Sequence, residues 1–211
     1  MISHDLLPSP SYNRLPVGDG QTLPDTVLNE LGKIIVRHGM QGQLGVGRLH
    51  RHFDLNAREV MVHKGLRCSP QTTDDGATLG GSAFYLDDNQ FRAFEYDAEE
   101  AIEPPESFLS DLATYVTSSG LAGRVALSKL DSKYAHLEET FYSIHSGTEN
   151  PDKTIEGETR SHVCAIVSDG EELRQDEATM WGFGTSDDGQ VRPFIAKMCK
   201  RTDNGSHKRT K

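Results

Sequence analysis

"PDTVLNELGKIIVRHGMQGQLGVGRL", Pro24 to Leu49, lies without a gap over "PESFLSDLATYVTSSGLAGRVALSKL", Pro105 to Leu130, at an offset of 81. Pro24/Pro105, Leu28/Leu109, Leu31/Leu112, Gly39/Gly120, Gly42/Gly123 and Leu49/Leu130 are identical. A second pair of blocks follows in the same order: "DDNQFRAF", Asp87 to Phe94, matches "DDGQVRPF", Asp187 to Phe194, at five of eight positions. Self-similarity at a fixed offset is the mark of a repeated structural unit, and it predicts a tandem duplication.

Each copy opens as a helix. A proline suits the first turn, and apolar residues recur at Leu28, Leu31 and Ile35 and at Phe108, Leu112, Tyr115 and Val116. A glycine then follows as the cap. Short alternating segments come next: Leu44 to Asp54, Glu59 to His63, Ser82 to Leu86 and Phe91 to Tyr96 in the first copy. The second copy offers Val125 to Tyr134, Glu139 to Ile144, His162 to Val167, Thr179 to Phe183 and Gln190 to Ala196. Asp188-Gly189 is a strong hairpin turn, and Asp88-Asn89 is its weaker counterpart. The expected fold is α+β: a duplicated unit of one helix followed by antiparallel strands, with the helices packed on the sheet. The expected organisation is a disordered lead over residues 1–22, one domain over 23–198 made of repeats 23–97 and 104–198, and a basic disordered tail over 199–211. Long polar loops are expected at Arg67 to Gly80 and Gly147 to Arg160.

The 211 residues are 35% hydrophobic and 26% charged, enough for a buried core. A formal charge of -10 with a pI near 5.3 opposes nucleic-acid binding. No 18-residue apolar run exists to cross a bilayer, and the N-terminus lacks the pattern of a signal peptide. Cys68, Cys164 and Cys199 are too few and too scattered for a disulfide framework. The expected setting is cytoplasmic, with neither nucleic acid nor membrane as partner and the oligomeric state left open.

"VGRLHRHFDL", Val46 to Leu55, carries the chemistry. On a strand, His50 and His52 share one face while Leu49 and Phe53 share the other. If the strand pairs as a hairpin with "EVMVHKG", the register that keeps Val60 and Val62 with the apolar side gathers His50, His52, Glu59 and His63 on the polar side. In the second copy His50 falls on Asp131 and His52 on Lys133, so the scaffold does not require histidine there. Three readings stay open: a solvated strand face, a metal-free acid–base pocket, or a site for Zn, Fe, Mn or Cu. Catalytic roles are assigned to His50, His52, Glu59 and His63, with Tyr85 and Tyr96 as donors at the rim. The metal and cofactor are left unassigned, as is whether the protein is an enzyme. "GQLGVG" follows a helix and precedes a strand, the wrong order for a phosphate loop.

The segment "RLHRHFDL", with "EVMV", "NQFRAFEYD" and "FLSDLATYVTSSGL", resembles a group of small proteins of filamentous fungi that carry an LHRHFDL-like stretch. That resemblance implies a fungal source and no particular chemistry. A local likeness to the first cupin motif is set aside, because "FDLNAR" puts six residues between His52 and Glu59 where that motif has three or four. The expected function is that of a small-molecule enzyme or accessory protein of a biosynthetic pathway, for instance a cofactor-independent isomerase, cyclase or dehydratase. The alternatives are a non-catalytic binding or assembly protein and a metal-dependent enzyme using the histidines.

Overall fold

A computed structural model describes residues 1–17, 22–64, 67–73, 79–98, 101–130, 162–163, 178–198, 200–201 and 207–208. The two long helices are α2 (Asp25–Arg37) and α3 (Glu106–Ser118), preceded by a single turn, α1 (Ser9–Tyr12). Pro24 and Pro105 sit at the N-caps, one residue before the first helical turn. Each long helix then has an acidic residue, Asp25 or Glu106, in that turn, where the helix dipole favours negative charge. Both end in the same way. Gly39 and Gly120 take left-handed φ values of 69° and 63°, and the next amides, of Met40 and Leu121, bond back to the carbonyls of Ile35 and Val116. The buried residues Leu28, Leu31 and Ile35, and Phe108, Leu112 and Val116, are the predicted apolar stripes.

The strands are β1 (Ile2–Ser3), β2 (Leu44–Arg48), β3 (Glu59–Lys64), β4 (Arg67–Thr72), β5 (Gly80–Asp87), β6 (Gln90–Asp97), β7 (Val125–Lys129), β8 (His162–Val163), β9 (Ala178–Thr185) and β10 (Val191–Met198). They form one sheet in the order β10-β9-β2-β7-β5-β6-β3-β4-β8, with β1 also paired to β6. The fold is therefore mixed α+β, as expected from the sequence. Among the described residues no helix is long and apolar enough to cross a membrane.

The centre of the sheet has a simple register. β2 and β7 run antiparallel with Val46 opposite Leu127, two residues 81 apart, so exchanging the strands leaves the ladder unchanged. The relation extends outward. Val46 and Gly47 pair with Trp181 and Met180 on β9, as Leu127 and Ser128 pair with Phe84 and Ala83 on β5. The two outer hairpins also share an irregularity. Ser82 and Phe94 are left over between the paired positions of β5 and β6, as Thr179 and Ala196 are between β9 and β10. This register sets Phe94 against Ala196, two residues from the Phe94/Phe194 match of the sequence blocks. The loops explain the offset. β5–β6 closes with two residues, Asp88 and Asn89, both left-handed at φ 50° and 62°, whereas β9–β10 closes through Ser186–Gln190 with Gly189 at φ 76°.

Helix α2 lies across β9, β10 and β2. Gly32 permits the approach, since a Cβ there would overlap the ring of Phe183. Beneath the helices, Leu28, Leu31, Ile35, Val46, Phe84, Phe108, Leu127, Trp181 and Phe183 belong to one apolar core. Trp181 is thus a packing residue. The opposite face carries a second cluster of Leu49, Leu55, Met61, Cys68, Ala83, Phe94 and Ala126, with Leu7, Tyr12 and Leu15 of the N-terminal segment.

Several expectations are corrected. Residues 1–17 are not a disordered lead. Burial of Leu7, Tyr12 and Leu15 and the pairing of Ile2 and Ser3 with Phe91 and Arg92 fix them against the sheet. In the basic tail, β11 (Lys200–Arg201) pairs with β12 (His207–Lys208). Arg67 to Gly80 is not simply a loop, because β4 pairs with β3 along its length. β2 stops at Arg48 and not at Asp54, and β3 pairs with β4 and, in parallel, with β6 instead of with β2. Glu139 to Ile144, Gly147 to Arg160, Cys164 and Cys199 lie outside the described residues.

Candidate functional site

Past the end of β2 the chain turns toward the N-terminal segment. The Arg51 amide donates to Pro16 O at 2.8 Å, the Leu55 amide to Asn13 Oδ1 at 2.8 Å, and the Arg51 guanidinium pairs with Asp54. This turn holds His50 and His52 on the side of the sheet away from α2 and α3. His63 reaches the same place from β3, because β3 runs alongside β6 with His63 opposite Asp97 and Met61 opposite Glu95.

The group that joins them is Glu95. Its Oε1 lies 3.2 Å from His52 Nε2 and its Oε2 lies 2.7 Å from His63 Nε2. Strict alternation along β6 would not place it so. Ala93 and Tyr96 belong to the core under the helices, while the leftover residue at Phe94 lets Phe94 and Glu95 both face away from it. Irregularities of this kind re-aim side chains beside functional sites.

The Glu95 side chain is 9% exposed and that of His52 is 4% exposed. Burial pushes the Glu95 carboxyl up. The charge of His63 and the hydrogen bonds from His52 and His63 outweigh burial and hold it well below the ordinary carboxylate range. An ionised carboxylate only accepts, so both Nε2 atoms are donors, and in a neutral ring Nδ1 then carries the lone pair. His50 has the opposite tautomer. Its Nδ1 lies 2.8 Å from the carbonyl oxygen of Arg48, which also only accepts, leaving Nε2 as the lone-pair nitrogen of the neutral ring. The His50 and His52 rings meet edge to face at 4.9 Å.

These side chains line a cavity of about 40 Å³, with Gly47, Arg48, Ser128 and Thr179 on its other walls. Tyr12 closes the cluster from the N-terminal side, its hydroxyl accepting from the His52 amide at 3.4 Å. Burial first, and then the charges of Glu95 and Cys68, push its phenol well above the ordinary value, so it stays protonated.

Three of the four assigned residues, His50, His52 and His63, thus come together. Glu59 does not join them. Its carboxylate accepts from the Asn56 amide at 2.7 Å and from Asn56 Nδ2 at 3.2 Å, which closes the turn before β3. Tyr96 is not a rim donor but a core residue whose hydroxyl accepts from the Leu7 amide at 2.6 Å, and Tyr85 packs its edge on Phe94. Among the described residues no three His, Cys, Asp or Glu side chains are placed to hold a metal ion. Sequence reasoning missed Glu95, Arg48, Ser128 and Thr179. The available signal was a carboxylate between Phe94 and Tyr96 in an apolar run, since glutamate is almost never fully buried unless paired.

No family model, no curated protein and no solved structure matches this chain.

Proposed function

We propose that this protein acts on a small organic molecule by proton transfer, as a cofactor-independent isomerase, cyclase or dehydratase, with His50 as the general base. The observation that carries the reading is the pairing of opposite tautomers. Glu95 fixes His52 and His63 as Nε2 donors, while the Arg48 carbonyl turns the Nε2 lone pair of His50 into the role of base beside the cavity. A positioned general base contributes roughly 10²–10⁴-fold. In this scheme His50 takes a proton from carbon or oxygen of the substrate and returns it to another atom of the same molecule, so no redox partner is needed. His52, Glu95 and His63 position and polarise the site.

The resemblance to fungal proteins through the RLHRHFDL segment supports a fungal source, and we place the protein in a small-molecule biosynthetic pathway of the cytoplasm. The common register of the two halves, with the six identities between Pro24–Leu49 and Pro105–Leu130, supports descent of repeats 23–97 and 104–198 from one duplicated unit.

A second reading, a non-catalytic binding or assembly protein, is favoured by the size of the cavity, since pockets that engulf a drug-sized ligand run to about 300–1,000 Å³. Deuterium exchange into the methyl groups of acetone in D2O separates the two. The first reading expects exchange above background that falls at least tenfold in His50→Gln. No exchange in the parent, with the same thermal stability in both proteins, sinks the base reading and leaves the binding protein.

A further inference from the structure

A second cavity opens between the N-terminal segment and the turn that leads into β3. It measures about 370 Å³ and, among the described residues, shares no lining residue with the cavity of His50 and His52. Pockets that take a small organic molecule begin at about 300 Å³, so this one has the size that the first lacks. Leu7, Leu55 and Val60 are its buried apolar walls, and Pro8, Pro10 and Ala57 stand exposed beside them. Leu6, 41% exposed, also lines it and is one of three large apolar side chains left in water among the described residues.

The polar side chains of the lining are engaged within the walls themselves. Ser9 Oγ donates to the Glu59 carbonyl oxygen at 3.0 Å, Asn13 Nδ2 to the Leu55 carbonyl oxygen at 2.9 Å, and Thr73 Oγ1 to the Arg58 carbonyl oxygen at 3.1 Å. The Glu59 carboxylate accepts from Asn56. These bonds fix the shape of the pocket before anything enters it, which lowers the ordering cost of binding. Arg58 is the exception. It is the single cation of the lining, and among the described residues no ion pair joins it to a carboxylate. Its backbone is held at φ 66°, in the left-handed region that favours glycine or asparagine, and its carbonyl also accepts from the Thr73 amide at 2.9 Å. An arginine kept in a conformation that suits glycine is a reason to ask what its side chain binds.

We propose that this pocket binds a free medium-chain carboxylic acid, with its hydrocarbon tail against Leu7, Leu55 and Val60 and its carboxylate on the Arg58 guanidinium at the mouth. Charge complementarity and the apolar walls together carry the choice. A guanidinium presents a planar fork of N–H donors that matches a carboxylate, and the remaining contacts available to a ligand are with hydrocarbon. The single acid of the lining, Glu59, directs its oxygens to Asn56. A neutral chain gains the apolar contact alone, and an amine meets Arg58 as a like charge. The site lies apart from the histidines and goes beyond the proposed function, so it stands under either reading of what the protein does.

The test is calorimetric titration of the full-length protein with octanoate, with octan-1-ol as the neutral chain of the same length. Saturable binding of octanoate is expected, at least tenfold weaker in both Arg58→Gly and Ala57→Trp, and octan-1-ol is expected to bind at least tenfold more weakly than octanoate. Arg58→Gly removes the guanidinium and relaxes the left-handed backbone, so it is expected to fold as the parent does. Ala57→Trp fills the pocket from an exposed position. Thermal unfolding checks both variants, and if Ala57→Trp does not fold, Arg58→Gly decides. His50→Gln is expected to bind octanoate as the parent does. No saturable octanoate binding, binding that either folded variant leaves unchanged, equal binding of octan-1-ol, or loss of binding in His50→Gln overturns the proposal. The acetone exchange assay reads His50 alone, so failure of the base reading and failure of this site are told apart.

Discussion

The two faces of the sheet are built from the same strands and solve opposite problems. The face beneath α2 and α3 is apolar throughout, with Leu31, Ile35, Phe84 and Phe108 fully buried. The other face, covered by residues 1–17, buries a carboxylate between two imidazoles beside its apolar cluster. Burial of apolar area is the main force that holds the first together. The second adds an ionic group whose value depends on every partner being present, since removing one strands the others in a low-dielectric site.

The sharpest way to break the comparison is Glu95→Ala, which leaves His52 and His63 without their acceptor. A loss of about 3–5 kcal/mol in urea unfolding is expected. Replacing all three polar groups together, as His52→Leu/Glu95→Leu/His63→Leu, should recover much of that loss if the trio serves only structure. The same group gives the second face its own pH response. Because the fold holds Glu95 below its ordinary value of 4.5, its contribution to stability is complete above that pH and is lost as pH falls through the lower folded value. The acid limb of a stability–pH curve should therefore flatten in Glu95→Gln.

On the helix face the corresponding break is steric. Gly32→Leu drives a side chain into Phe183, and overpacking of this kind costs about 1–3 kcal/mol with no change in pH response. Tyr96→Phe probes the cover of the far face. It removes the acceptor of the buried Leu7 amide, an expected cost of about 1–3 kcal/mol, read as faster proteolysis within residues 1–17. Asp111→Asn is the smallest change. The Asp111 carboxylate joins Arg37 at 2.7 Å and His38 at 3.0 Å, tying α3 to α2, but it is exposed to solvent. The shift in melting temperature should be slight and should vanish in high salt.

How legible the molecule is from its sequence differs between the two faces in the same way. The helices, their glycine ends and the apolar stripes follow from periodicity and from the left-handed backbone that Gly39 and Gly120 supply, all local properties of the chain. The strands after them are legible as segments but not in their pairing. A hairpin register would put Glu59 with the histidines, but the chain sends β3 beside β6, leaving Glu59 to close a turn with Asn56. Tyr96 and the N-terminal segment depart from the local pattern for a related cause, since Leu7 and Tyr96 meet across 89 residues of sequence.

The sequence by itself determined the α+β class, the stripes that bury the helices, the turns, and the histidines as the residues to watch, because each depends on neighbours a few positions away. Tertiary structure alone decided which carboxylate meets those histidines. Glu95 lies 43 positions beyond His52, and it reaches that ring only because one leftover residue at Phe94 turns it to the far face while a parallel strand carries His63 to its other oxygen. Contacts of that range are fixed by sheet order and register, which no local pattern of residue types encodes.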